Sequence, residues 1–196
     1  MKYHVGCGAD IKPGYINIDG SNRKADVVAD MKTFDYQPCQ HIESHHSFEH
    51  LSYAHSMALL VRWSLALELN GTLLIDVPDV LRIAAEAPKT AQGMAKAMRL
   101  IYGSHEAPWA FHISGWTPEW ITMALSSFGY SDINITHYGN SDHDFPNYGM
   151  STIAVKKTCF SKDKLLYLGK ELLGYYCHPS EVQLHQKFCS DFERMI

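Results

Sequence analysis

The chain lacks the features that mark several large classes of protein. No apolar run approaches the roughly 18 residues of a membrane span; the best, residues 58–69, is broken by Arg62 and Glu68. Cations are in no excess, with 17 Lys and Arg against 21 Asp and Glu, a net charge of -4 and a pI near 6.3. That balance argues against a binder of nucleic-acid phosphates, which would gather Lys and Arg. The five cysteines (Cys7, Cys39, Cys159, Cys177, Cys189) are odd in number and form no close pair, so no disulfide framework is expected. Residues 1–6 hold no apolar signal segment, and a reducing cytoplasm is the expected location. Internal repeats and Gly/Ser linkers are missing too.

What is present suits one folded domain. The 196 residues are 46% hydrophobic and 19% charged, enough for a sizeable core. Strands are expected at residues 3–5, 15–18 and 26–29, short and apolar with turn residues at their ends, as buried parallel strands are, and a fourth, with a weaker pattern, at 41–44. Met57, Leu60, Val61, Leu65 and Leu69 recur at helical spacing and predict a helix over 54–69, with Asn70-Gly71 as its stop. A fifth strand fits 72–77, ending at Pro78. A helical pattern over 80–102 is interrupted by Pro88. Thr117 as N-cap and Pro118 in the first turn predict a helix ended by Gly129, before strands at 131–136 and 150–155. This alternation means an open α/β sheet that binds ligands at the carboxyl ends of its strands. Residues 1–157 form this unit, and residues 158–196 read as a helical extension. Its stripe of Leu165, Leu168 and Leu172 ends at Gly174 and suits packing or a homodimer contact; Ser180 and Gln183 suggest a capping box for a second helix.

The chemistry begins at Gly6-Cys7-Gly8, where glycines at a strand end let backbone N–H groups approach a ligand. Alone, this tripeptide is common. Asp19-Gly20 closes the second strand and Asp30 the third, so three elements share one edge of the sheet. An acid after strand two is placed for ribose hydroxyls and one after strand three for an adenine amino group, with Ile18 and Met31 as apolar walls. Singly, each acid reads as a turn residue; in this order, together, they favour an adenosine site.

Residues 5–8, 13–19 and 25–30, followed by His46-Ser47-Phe48-Glu49-His50-Leu51, Asn70-Gly71, Val77-Pro78-Asp79 and residues 112–129, resemble the class I S-adenosylmethionine-dependent methyltransferases. The nearer likeness is to small bacterial methyltransferase-like proteins found among polysaccharide-biosynthesis genes. The resemblance spans about residues 2–156. It implies a Rossmann-like three-layer sandwich whose mostly parallel seven-stranded sheet has its last strand antiparallel. It also implies S-adenosylmethionine as cofactor, held by Gly6, Cys7, Gly8, Asp19, Gly20, Asp30, Met31 and His46, with His45 and His46 facing the sulfonium and the acceptor. The implied activity is methyl transfer to a small acceptor, with a sugar or glycan precursor as the class suggested by genetic company. Two departures stand out: His4 replaces an acid frequent in the family, and the link from Gly8 to Asp19 is too short for a full helix.

The 12 histidines, five of them between His41 and His55, invite other readings. His46-Ser47-Phe48-Glu49-His50 matches H-x-x-E-H, an inverted zinc-protease signature that needs both histidines on one helix face. Here the motif follows a strand, so the metal-free reading is preferred, with Glu49 and His50 bracing a loop. His45 or His46 has the titration range of a general base, although methyl transfer depends mostly on in-line placement. His105 and His112, with Trp109, Phe111 and Trp116, fall where an acceptor pocket is expected. His137, His143 and His178 read as solvated surface. Cys177, His178, His185 and Cys189 fit no zinc spacing. A non-catalytic cofactor-binding or partner subunit, or a zinc hydrolase through His46, Glu49 and His50, are the alternatives.

Overall fold

Seven segments of the chain become the strands of one sheet, the first three of them short and followed closely by Gly or Asp. The computed structural model describes residues 1–139 and 148–196. In chain order it contains β1 (Lys2–Val5), β2 (Ile16–Asp19), β3 (Val27–Val28), β4 (Cys39–His45), a 3-10 turn (Phe48–His50), α1 (Tyr53–Ala66) and β5 (Leu67–Pro78). Then follow α2 (Val80–Glu86), α3 (Ala91–Tyr102), α4 (Pro118–Ser127), β6 (Tyr130–Tyr138), β7 (Gly149–Lys156), α5 (Lys162–Tyr176) and α6 (Val182–Glu193). The strand order is β3-β2-β1-β4-β5-β7-β6. Neighbours from β3 to β5 pair in parallel, and β7 runs antiparallel to both β5 and β6. This is the expected Rossmann-like class, and it gathers the ends of β1, β2, β3 and β4 on one edge.

Side-chain alternation gives the sheet two unlike faces. Tyr3, Val5, Ile18, Ile42, Leu73 and Ile75 join the core built on α1. The C-terminal helices share that core through Leu165, Leu172, Leu173 and Phe192, so the leucine stripe packs inside the chain. Residues between these point the other way, and around β1 and β4 they are polar: His4, Asn17, His41, Glu43 and His45. No helix follows β1, β2 or β3. The layer over β1 and β4 is instead the 8–15 loop, which lays Lys12 against Glu43 and the Tyr15 ring 5.8 Å from that of His41.

Three local expectations need correction. Helix α1 stops at Ala66, not near Asn70, and Leu65 and Leu69 are 46% and 55% exposed. A buried ammonium from the far end of the chain sits at this end: Lys156 Nζ donates to Ser64 O in the last turn and, at 2.5 Å, to Leu67 O just beyond it, while Trp63 O accepts from Leu67 N. Leu67 then pairs with Cys39, and Asn70 (φ 65°) sits at an irregularity inside β5. Helix α5 runs two residues past Gly174. Before α6 no capping box forms; Ser180 Oγ bonds His178 Nδ1 at 2.8 Å, and Glu181 accepts from His178 N. Elsewhere local signals hold: Thr117 accepts from Trp120 N, and the break at Pro88 separates α2 from α3.

Candidate active site

The glycine loop is built by backbone conformation. Gly6 (φ 67°) and Gly8 (φ 51°) both lie in the left-handed region. A Cβ on Gly6 would collide with the Ser47 hydroxyl, which donates to Gly6 O at 3.1 Å; one on Gly8 would meet nothing within 4 Å. That open space belongs to a cavity of about 740 Å³, a volume suited to a nucleoside-sized ligand. Gly6, Gly8, Asp19, Gly20, Asp30, Met31 and His46 all line it. Seven of the residues expected around the cofactor therefore share one cleft.

Asp19 holds the floor of the cleft. Its Oδ1 accepts from Ser21 N at 2.8 Å, Asn22 N at 2.7 Å and Ser21 Oγ at 3.1 Å, and its Oδ2 accepts from Gly8 N at 2.9 Å. Burial would raise its pKa, but these donors outweigh burial and hold the carboxyl below its ordinary value. A carboxylate oxygen accepts about two hydrogen bonds, so Oδ2 has capacity left for a ligand. Asp30 accepts from Lys32 N at 2.9 Å and stays exposed at the cleft rim.

Two expected residues lie elsewhere. The Cys7 side chain is buried, with burial pushing its thiol up to about 11, and its N–H is taken by Ile18 O at 3.1 Å. His45 belongs to the polar sheet face: Nδ1 meets Asp76 Oδ2 at 2.5 Å, and Nε2 lies 3.0 Å from Lys12 Nζ. The bond to Asp76 raises its pKa against the opposing effect of burial. His4 joins the same group, 5.4 Å ring to ring from His45. Burial and the Lys12 charge lower its pKa.

His46 is placed by strain and by two partners. Its φ of 48° turns the chain out of β4. Nδ1 lies 3.3 Å from Glu49 Oε1 and Nε2 lies 2.7 Å from the Tyr138 hydroxyl. Burial would lower its pKa; the Glu49 bond, with the Glu49 and Asp76 charges, raises it overall. Tyr138 was not foreseen, and neither were Lys12 and Asn22. The one available signal was Tyr138's position at the carboxyl end of its strand.

A second cavity, of about 240 Å³, shares His46, His50 and Trp109 with the first. Glu49, His50 and His112 meet there with one ligand atom each within 4.8 Å of the others. The segment around Glu49 and His50 is a three-residue 3-10 turn, so His46 and His50 do not share a helix face as the inverted zinc-protease pattern requires. Trp109 is 68% exposed at the mouth of both cavities, whereas Trp116, expected in the acceptor pocket, is a core residue with its N–H on Ser114 Oγ at 2.9 Å. Phe111 stacks on His105 at 4.2 Å. His137 is not free surface, since its Nε2 lies 2.9 Å from the buried Asp79; His178 is exposed, and His143 lies outside the described residues.

Against known proteins, no family model matches the chain, and no curated protein matches. Solved structures do. A methyltransferase from Archaeoglobus fulgidus that depends on S-adenosylmethionine (SAM) matches with a TM-score of 0.53 and 16% identity, over 79% of this chain and 85% of that one. A Thermotoga maritima SAM-dependent methyltransferase, a possible histamine N-methyltransferase, matches with a TM-score of 0.53 and 11% identity, over 80% and 81%. Human N-acetylserotonin methyltransferase, solved with SAM, matches with a TM-score of 0.52 and 14% identity; the chain spans 47% of it. The fold is that of SAM-dependent methyltransferases.

Proposed function

We propose that the chain binds S-adenosylmethionine in the larger cavity and moves its methyl group to a small acceptor held in the second. The cofactor supplies an electrophilic methyl on a sulfonium, so the protein's work is placement. The observation that carries this reading is the convergence of Gly6, Gly8, Asp19, Gly20, Asp30, Met31 and His46 on one cleft at the strand ends. Asp19 Oδ2 takes a ribose hydroxyl, Asp30 an adenine amino group, and the loop at Gly8 leaves room for the methionine part. His46 stands where the two cavities meet and faces the transferred group. A saccharide acceptor is supported by the exposed Trp109 ring, a stacking surface at the mouth of both cavities.

Calorimetry tests the cofactor. S-adenosylmethionine and S-adenosylhomocysteine are expected to bind at micromolar concentration. Asp19→Ala should weaken both by about 10–100-fold, the loss of a charge-assisted hydrogen bond together with slackening of the Gly8 loop. Folded protein that binds neither compound would sink the reading. An unchanged dissociation constant in Asp19→Ala would remove the ribose role of that residue.

A further inference from the structure

The second cavity contains donors arranged for a cation. His50 Nδ1 lies 2.8 Å from Phe111 O, and His112 Nδ1 lies 3.0 Å from Leu100 O. A carbonyl only accepts, so each Nδ1 carries the proton and each Nε2 presents a bare lone pair. Backbone carbonyls that fix the tautomer of two imidazoles in this way are the usual support of metal-bound histidine. Between them stands Glu49, 1% exposed, whose Oε2 is buried with no hydrogen-bond partner among the described residues. Its Oε1 is 3.9 Å from His112 Nε2. A buried carboxylate oxygen without a donor is costly unless something positive fills the place, and no Lys or Arg pairs with Glu49 among the described residues.

We propose that Glu49, His50 and His112 bind a divalent transition-metal ion, zinc or a close analogue, at the wall of the second cavity. Two imidazoles and one carboxylate suit zinc, manganese or iron, not calcium or magnesium, which prefer oxygen alone. Three protein ligands leave a coordination position open, and the cavity lies beside them. This rests on the methyltransferase reading for its purpose: the open position holds an acceptor oxygen next to the cofactor cleft, with His50 lining both. Arg99 lines the same cavity, so an anionic acceptor with an oxygen donor is the substrate class that suits it. His46 is not a ligand; its nitrogens are engaged by Glu49 and Tyr138.

The test uses the full chain, stripped with a chelator and titrated with Zn²⁺ or Co²⁺. One equivalent should bind, and the cobalt form should show the visible absorption of a low-symmetry nitrogen and oxygen site. Loss of a group that merely supports a ligand costs about 10–100-fold in affinity, so His112→Ala and His50→Ala should lose about 100-fold or more. His178→Ala, an exposed histidine, should bind as wild type. If the ligand variants fail to fold, the wild-type cobalt spectrum and the shifts of its imidazole protons decide the matter. Folded wild type that retains no stoichiometric Zn²⁺, Co²⁺ or Mn²⁺ overturns the proposal, as does wild-type affinity in both His112→Ala and Glu49→Gln. Calorimetry with S-adenosylhomocysteine separates the two readings: metal without nucleoside leaves the site standing and removes the methyltransferase, while nucleoside without metal removes the site alone.

Discussion

Two groups of histidine and carboxylate lie within this small sheet, and they differ in how their charge is answered. His4, Glu43 and His45 gather on the polar face with ligand atoms as close as those of Glu49, His50 and His112. In the first group Lys12 already supplies the cation: its ammonium donates to Glu43 Oε1 and lies 3.0 Å from His45 Nε2. His41 Nε2 meets Glu43 Oε2 and Asp76 Oδ2 meets His45 Nδ1, although Asp76 Oδ1 has no hydrogen-bond partner among the described residues. In the second group no Lys or Arg pairs with Glu49 among the described residues, and Glu49 keeps an unpartnered oxygen. The same residue types are thus tied to a lysine in one place and left without one in the other. What separates them is one lysine delivered by a loop.

The largest effect that would test this contrast is acid unfolding. Burial would raise the Glu43 pKa, but Lys12 and His41 as donors, with the Lys12 and His45 charges, bring it down to about 2. A carboxyl depressed in the folded state adds stability that is whole above its unfolded pKa, about 4.3, and is lost as pH falls through the folded value. The window is therefore about pH 4.5 to 2. Glu43 should account for about 2–3 kcal/mol of the fall across it. Denaturant unfolding of wild type and Glu43→Gln between these limits measures it: the variant's curve should be flatter by that amount. Parallel curves would mean that Glu43 is not held by Lys12.

Much of this was legible from sequence where the signal is local. Gly6, Gly8, Asp19 and Asp30 line one cleft, as their order and strand position led one to expect, and Thr117 caps its helix as its neighbours demand. Signals that depend on distant residues were invisible. At the end of α1 the partner is Lys156, 90 residues on in the sequence from Ala66, and Asn70-Gly71 misled. His112 comes to Glu49 and His50 because α2, α3 and the following loop return the chain to the strand edge, where Ile113 N and Ser114 N both bond Glu49 O. No periodicity encodes that return. His45 was misplaced for a simpler reason: as the last residue of β4 it stays on the polar face with His41 and Glu43, whereas the left-handed turn at His46 takes the chain out of the strand.

Removing the deciding lysine is the next test in size. Lys12→Ala should cost about 2 kcal/mol of stability, since it leaves a buried carboxylate with imidazole partners only. The figure is set below that of a fully buried pair because Lys12 keeps part of its exposure. His112→Ala, which breaks one bond to Leu100 O, should cost about 1 kcal/mol. The same Lys12→Ala protein should gain a second, weaker zinc equivalent at His4, Glu43 and His45. Thermal unfolding and metal titration read both quantities. A lysine variant as stable as wild type, or one with no new zinc binding, would show that the two groups differ by more than a filled position.

The smallest expected effect concerns how the open group holds its shape. Tyr138 meets His46 Nε2 at 2.7 Å, and its ring covers Gly149 on the neighbouring strand, its cross-strand partner. Burial raises the Tyr138 pKa well above its ordinary value, so the hydroxyl is neutral and free to donate. Tyr138→Phe keeps the ring over Gly149 and removes only this donor. Stability should fall by about 0.5–1 kcal/mol, the net worth of one hydrogen bond. Zinc affinity should stay at the wild-type value, because His46 does not bind the metal. A drop of tenfold or more in zinc affinity would place His46 inside the metal shell, and the second group would then hold four ligands and leave less room for an acceptor.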